Sequence, residues 1–266
     1  MRKTFLIPFI ILSAVSSAEE CDSLSILQTG VEVRYIPAQT LCLDQEPRIW
    51  TKTKETHAIA AQVNITPTAN AFARDYNYPT SSVGLRYNLN HGTTMHKDTP
   101  WGQAQPVDYI SKLGNVLTLY GTFNRPLYRS NHWQWGYYLG TGIGYTALKY
   151  NKKNNIDNEY IGSHFNIFFT AGLYGQYKVA KEWSIKAGLD FAHHSNGAMA
   201  RPNKGANYLG PFVGIVYEPE KQTTTVAKRK TQSELPFQKY WFTEFTLGIG
   251  GKTLLEDWHQ THFGTP

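Results

Sequence analysis

No window of about twenty apolar residues occurs in this chain, so it has no helix long and apolar enough to span a bilayer. Cysteine is nearly absent: Cys21 and Cys42 are the only two. They allow either one disulfide closing the N-terminal loop or two thiols, and there is no C-x-x-C pair. The G-x-S-x-G elbow is missing, so an α/β-hydrolase is not indicated. H-E-x-x-H and P-loop patterns are missing too, so neither a zinc protease helix nor a phosphate-cradling loop is present. Basic residues do not interleave with aromatics on one element, which leaves nucleic acid without support as a partner. No internal repeat is visible.

The chain opens with a charged start at Arg2 and Lys3, a short apolar run from Phe5 to Val15, and small residues at Ser16, Ser17 and Ala18. That is the pattern of a secretory signal, expected to occupy residues 1–18. About 248 residues would remain, enough for one β-domain. Aromatics make up 14% of the chain, yet the mean hydropathy is polar, at -0.42. Barrels of the outer membrane combine these two properties, because only alternate residues need be apolar. The formal net charge of +6 suits an anionic, phosphate-bearing surface, or simply a basic protein.

Alternation at period two is the dominant pattern. Trp133, Trp135, Tyr137, Leu139, Ile143 and Tyr145 fall on one face, with Gly136, Gly140, Gly142 and Gly144 on the other. Phe165 to Lys178, Trp183 to Phe191 and Leu209 to Tyr217 repeat the arrangement, with Phe168 as an exception. Residues 29–36, 57–66, 82–90, 115–124 and 240–249 are further strand candidates. Small and polar residues on one face, with aliphatic and aromatic residues on the other, make a soluble barrel inside out. The expected fold is therefore all-β, an antiparallel transmembrane β-barrel of at least eight strands filling residues 19–266. Residues 220–236 read as a polar connector. The candidates number about nine, whereas a bacterial single-chain barrel has an even number. Either one strand is miscounted or the C-terminal end is incomplete. Long polar loops at 91–114, 150–163 and 196–206 contrast with a tight turn at 179–181. By the usual asymmetry the long loops face outward. The strand from Trp183 then ends at the outer leaflet of a Gram-negative outer membrane.

That strand ends in His193, His194, Ser195, Asn196 and Gly197, with Pro202, Asn203, Lys204 and Gly205 shortly after. His193 and Ser195 continue the apolar face, with Cα atoms roughly 6.5–7 Å apart. A base and a hydroxyl nucleophile on the lipid-facing side would suit an enzyme that attacks lipid. Asn196 and the Gly197 backbone could supply donors to an oxyanion, or could simply begin a turn. His194 points into the barrel. The other histidines, His57, His91, His96, His132, His164, His259 and His262, are scattered. Asp44, Asp75, Asp157 and Glu159 show no metal-ligand spacing. No cofactor or metal is expected.

At these residues the chain resembles the lipid A 3-O-deacylase family of outer-membrane barrels (PagL-like, or acyloxyacyl hydrolases), in its longer, Bacteroidetes-type branch. The likeness rests on His193-His-Ser-Asn196 and Pro202-Asn-Lys-Gly205, read as H-x-S-N…P-N-x-G. Trp135-Gly136, Gly140-Thr-Gly-Ile-Gly144, Asn154-Asn155, Ile161-Gly-Ser-His164 and Asn207-x-x-Gly210 extend it over roughly residues 60–250. The resemblance implies hydrolysis of an ester-linked acyl chain on lipid A of lipopolysaccharide, with Ser195 as nucleophile, His193 as base and Asn196 and Gly197 as oxyanion region. The family's third catalytic position, a Glu, is Asn207 here. Asn207 shares a face with Leu209, Val213 and Ile215, so it is expected to meet His193. Asn can orient an imidazole but cannot balance the charge of an imidazolium. The alternative is a non-catalytic barrel, such as an adhesin, small pore or structural protein, with a degenerate deacylase-like site. A soluble lipocalin-like binder conflicts with the outward aromatics.

Overall fold

The computed structural model describes residues 27–68, 71–100, 105–197 and 199–219. In chain order the elements are β1 (Leu27–Leu41), α1 (Gln45–Trp50), β2 (Thr51–Pro67), α2 (Ala71–Asp75), β3 (Thr80–Leu89), β4 (Thr93–Met95), β5 (Ser111–Lys112), β6 (Val116–Arg129), β7 (Trp133–Tyr145), β8 (Phe165–Lys178), β9 (Trp183–Ser195) and β10 (Ala206–Tyr217). Each long strand pairs antiparallel with its neighbours in the order β1, β10, β9, β8, β7, β6, β3, β2, and β2 pairs back onto β1. Eight strands therefore close the barrel, the even number expected of this class. Two of the ten strands, β4 and β5, are short and extend β2 above the barrel. They lie within the stretch expected to be a single loop at 91–114. The signal sequence, Cys21, the connector at 220–236 and the strand candidate at 240–249 lie outside the described residues.

Parity places the side chains. Val31, Val33, Ile59, Val63, Leu85, Leu119, Leu139, Leu173, Leu189 and Val213 stand outward and exposed. At the short-turn end, Trp133 packs on Tyr177 and Trp183 on Tyr217, both with ring centroids 4.7 Å apart, as an interfacial girdle requires. The lumen is filled, not open. Arg34 pairs with Glu32 at 2.8 Å, Lys186 with the same carboxylate at 3.0 Å, and Arg86 with Asp190 at 2.7 Å. All five residues are buried. The Tyr138 hydroxyl donates to Asp190 at 2.6 Å, and the Arg34 guanidinium lies over the Tyr138 and Phe212 rings. A Cβ on Gly172 would meet the Tyr138 ring at 2.3 Å, so glycine there makes room for an aromatic core. Phe168, the exception to outward aromatics, is fully buried in the same interior. An eight-stranded barrel is narrow enough for its side chains to fill, and among the described residues this interior is filled at that level.

The long-loop end is capped. Trp50, Met95, Leu113, Tyr160 and Ile161 are buried beneath the loops. The Tyr160 hydroxyl lies 2.9 Å from Cys42 Sγ and 2.8 Å from Thr51 Oγ1, and burial raises its pKa above the ordinary phenol range. Lys97 pairs with Glu159 at 2.6 Å and sits 4.4 Å from the Trp50 ring centroid. The neighbouring Asp157 carboxyl is raised by burial. The cap reaches the loop after β9, because Lys204 N–H donates to Glu159 O and Gly205 N–H to Tyr160 O, both at 3.0 Å.

Candidate active site

The β9 parity carries Trp183, Ile185, Leu189 and Phe191 outward and Ser184, Lys186, Asp190 and Ala192 inward. It sends His193 and Ser195, half-buried, to the membrane-facing wall, and His194 and Asn196, fully buried, inward. On one flank, β8 sets Phe169 opposite His193 and Ile167 opposite Ser195. On the other, β10 sets Asn207 opposite His193. The two facing side chains meet: His193 Nδ1 lies 2.7 Å from Asn207 Oδ1. An amide oxygen can only accept, so Nδ1 carries the proton and donates, and Nε2 keeps its lone pair. Asn207 holds the outward parity of Leu209 yet is only 5% exposed.

Two further contacts hold the imidazole, and a third ties Asn207 to the same loop. Phe169 stacks on it with ring centroids 6.4 Å apart and planes 29° from parallel. Gly205 presses against its edge, where a Cβ would come within 2.7 Å of Cε1, and its φ of +75° also favours glycine. Asn207 Nδ2 faces Gly205 O at 3.5 Å. The final glycine of P-N-x-G thus has a packing reason. Phe169 was not foreseeable from the sequence, since its place depends on the cross-strand register.

Ser195 shares the outward face with His193 but makes no hydrogen bond to it among the described residues. Catalytic hydrogen bonds are commonly loose before substrate binds. The donors of Asn196, expected in the oxyanion region, are engaged within the turn. Its amide donates to Ser163 Oγ at 2.9 Å and to Ala200 O at 2.8 Å, so both Nδ2 protons are committed. Its backbone N–H is also taken, by Asn203 Oδ1 at 3.1 Å. Gly197 N–H remains without a partner among the described residues. His194 is a core residue, with Nε2 2.9 Å from Thr118 Oγ1 and its ring packed between Phe168 and Tyr208. Among the described residues no carboxylate pairs with His193, and no three metal-ligating side chains cluster.

Directly below His193 on the same wall lies a groove of about 310 Å³ lined by Tyr137, Leu139, Leu173, Leu189, Phe191 and Leu209 among others. Its lining is almost wholly apolar. His193 and Ser195 thus stand on one membrane-facing wall above an apolar groove, with Asn207 against the His193 ring. Residues 59–216 match the sequence profile of the lipid A 3-O-deacylases (PagL). The chain belongs to that family. It is an outer-membrane β-barrel, and all of the strand-end constellation falls within the matched residues. Two solved structures resemble it. The outer membrane enzyme PagL aligns with a TM-score of 0.44 at 12% identity, covering 69% of this chain and 97% of that one. Neisserial surface protein A (NspA) aligns with a TM-score of 0.40 at 7% identity, covering 71% and 96%. Among curated proteins none matches in sequence.

Proposed function

We propose that this barrel hydrolyses an ester-linked acyl chain of lipid A, with Ser195 as nucleophile, His193 as general base and Asn207 as the residue that orients the base. The observation that carries the reading is the 2.7 Å contact between His193 Nδ1 and Asn207 Oδ1 on the membrane-facing wall, on the same face as Ser195. With Nδ1–H given to Asn207, Nε2 is the nitrogen free to take the serine proton. Ser195 Oγ attacks the ester carbonyl while the acyl chain lies in the groove below. Gly197 N–H is the donor left for the oxyanion, and Asn196 acts by pinning the turn that presents it. His193 returns the proton to the departing sugar hydroxyl. Water, activated by the same nitrogen, then cleaves the acyl-enzyme.

One observation favours the alternative of a non-catalytic barrel with a degenerate site: Asn207 brings no charge to balance an imidazolium. Mass spectrometry of lipid A from outer membranes carrying the wild type or Ser195→Ala separates the two readings. Loss of one acyl chain with the wild type alone is expected. Identical lipid A from both strains would overturn the proposal.

A further inference from the structure

A second groove, of about 890 Å³, crosses β1, β2 and β10 on the outer wall. Its floor is apolar and includes Leu41, Leu189, Leu209, Pro37 and Pro211. The β1–β10 ladder runs from Val31 to Tyr35 and resumes at Gln39, and the two prolines face each other in the interval. Neither can donate to a ladder, so the hydrogen-bonded seam lapses where the groove lies.

The edge of this groove is polar, which is unexpected on a wall of aliphatic side chains. His57 sits between Pro37 of β1 and Leu89 of β3. The Tyr35 hydroxyl is 2.7 Å from its Nδ1, and the two rings stack with planes 8° apart. Glu55 Oε1 is 3.1 Å from Nε2. The neutral ring satisfies both if Tyr35 donates and Nε2–H donates to Glu55. Two lysines complete the edge. Lys52 is held by Asp98, whose carboxyl that hydrogen bond keeps below its usual range. Lys54 is exposed and has no partner among the described residues. With Lys52 engaged by Asp98 and Glu55 engaged by His57, the Lys54 ammonium above an apolar floor is the group at this edge left to meet an amphiphile with an anionic head.

Leu189 and Leu209 line both grooves. They form a ridge with the apolar groove below His193 on one side and the polar-edged groove on the other. A lipid with several acyl chains and a phosphorylated sugar can straddle such a ridge; a single-chain lipid cannot occupy both sides. We infer that the groove across β1, β2 and β10 is a second substrate subsite, in which Lys54, at the polar edge that also holds Glu55 and His57, binds a phosphate of lipid A. This rests on the lipid A reading above and specifies which part of the substrate lies on each side of the ridge.

The test uses the full-length Ser195→Ala barrel in detergent micelles, titrated by calorimetry with bisphosphorylated lipid A and with the same lipid after phosphatase treatment. A charge-assisted hydrogen bond predicts roughly tenfold tighter binding of the phosphorylated form. Lys54→Ala in this background should erase that difference, and Lys54→Arg should restore it. Equal affinities for the two lipids, or a preference that survives Lys54→Ala, would overturn the subsite. So would equally tight binding of micellar phosphatidylglycerol, since the site would then read only negative charge. Phosphate-selective binding by a barrel that never deacylates lipid A would sink the hydrolase reading and leave the subsite standing. Deacylation indifferent to Lys54 and to phosphate would do the reverse.

Discussion

Asn207→Asp is the substitution that most directly probes how this site works. It keeps the shape of the side chain and places a carboxylate oxygen where Oδ1 now lies, 2.7 Å from His193 Nδ1. Once Nε2 takes the serine proton, that carboxylate would stand roughly 4 Å from the centre of positive charge, where two unit charges attract by about 4 kcal/mol at an effective dielectric of 20. Two costs oppose the gain. Position 207 is 5% exposed, so the carboxylate is desolvated. The second oxygen would also replace the Nδ2 that now faces Gly205 O at 3.5 Å, turning a weak attraction into repulsion. Together these remove something over half of the Coulomb term, leaving about 1.4 kcal/mol, or a rate increase of about tenfold. Initial rates of fatty-acid release from lipid A in mixed micelles would measure it, with thermal melting to show that the barrel is intact. Asn207→Glu should match or exceed the wild-type rate, although its extra methylene must fold back to reach Nδ1. Asn207→Ala should lose about tenfold or more, because the imidazole is no longer oriented. An Asp variant slower than wild type in an equally stable barrel, or an Ala variant at full rate, would show that Asn207 does not act through His193.

Other substitutions divide the site from the scaffold. Ser195→Ala and His193→Ala should abolish acyl release while the barrel still folds, as read by heat-modifiable migration in gels. His194→Ala should spare most activity per folded molecule but lower the melting temperature, because it removes a buried ring from Phe168, Tyr208 and Thr118; activity loss equal to that of His193→Ala would contradict the register. Gly205→Ala should cost at least about a hundredfold in rate, since its Cβ would meet His193 Cε1 at 2.7 Å and its φ is strained for alanine; an unchanged rate would show the ring is free to move. Arg86→Ala should destabilise the barrel by about 3–5 kcal/mol, as it strands the buried Asp190 carboxylate, and denaturant titration in detergent checks it.

The barrel was legible in the sequence because parity alone separates lipid from lumen. Trp133 to Tyr145, Phe165 to Lys178 and Trp183 to Ser195 stand in the structure at the limits their alternation suggests. The strand ends beyond the apolar belt were less readable. β1 continues through Pro37 to Leu41 and β2 begins at Thr51 in a polar stretch, and in both places the plain alternation is interrupted. The same holds for β4 and β5, whose pairing with β2 and with each other depends on the cap and leaves no period of its own. Within the site, the meeting of His193 and Asn207 follows from parity on two strands joined by one loop. Parity also sends Asn196 inward with His194, a point that the H-x-S-N signature obscures. The packing of Phe169 and Gly205 against His193 depends on register and loop closure, which spacing does not encode.

Among the described residues the lumen is filled, so the lipid A reading proposed above places the chemistry on the outer wall. On that proposal, a lipid reaching His193 and the grooves beside it would travel sideways in its own leaflet without crossing water. Encounter is then a two-dimensional search, governed by the mole fraction of substrate among its neighbours and not by its bulk concentration. Detergent added at constant substrate should slow such a reaction by surface dilution alone, and close packing of the leaflet should slow it by hindering lateral diffusion.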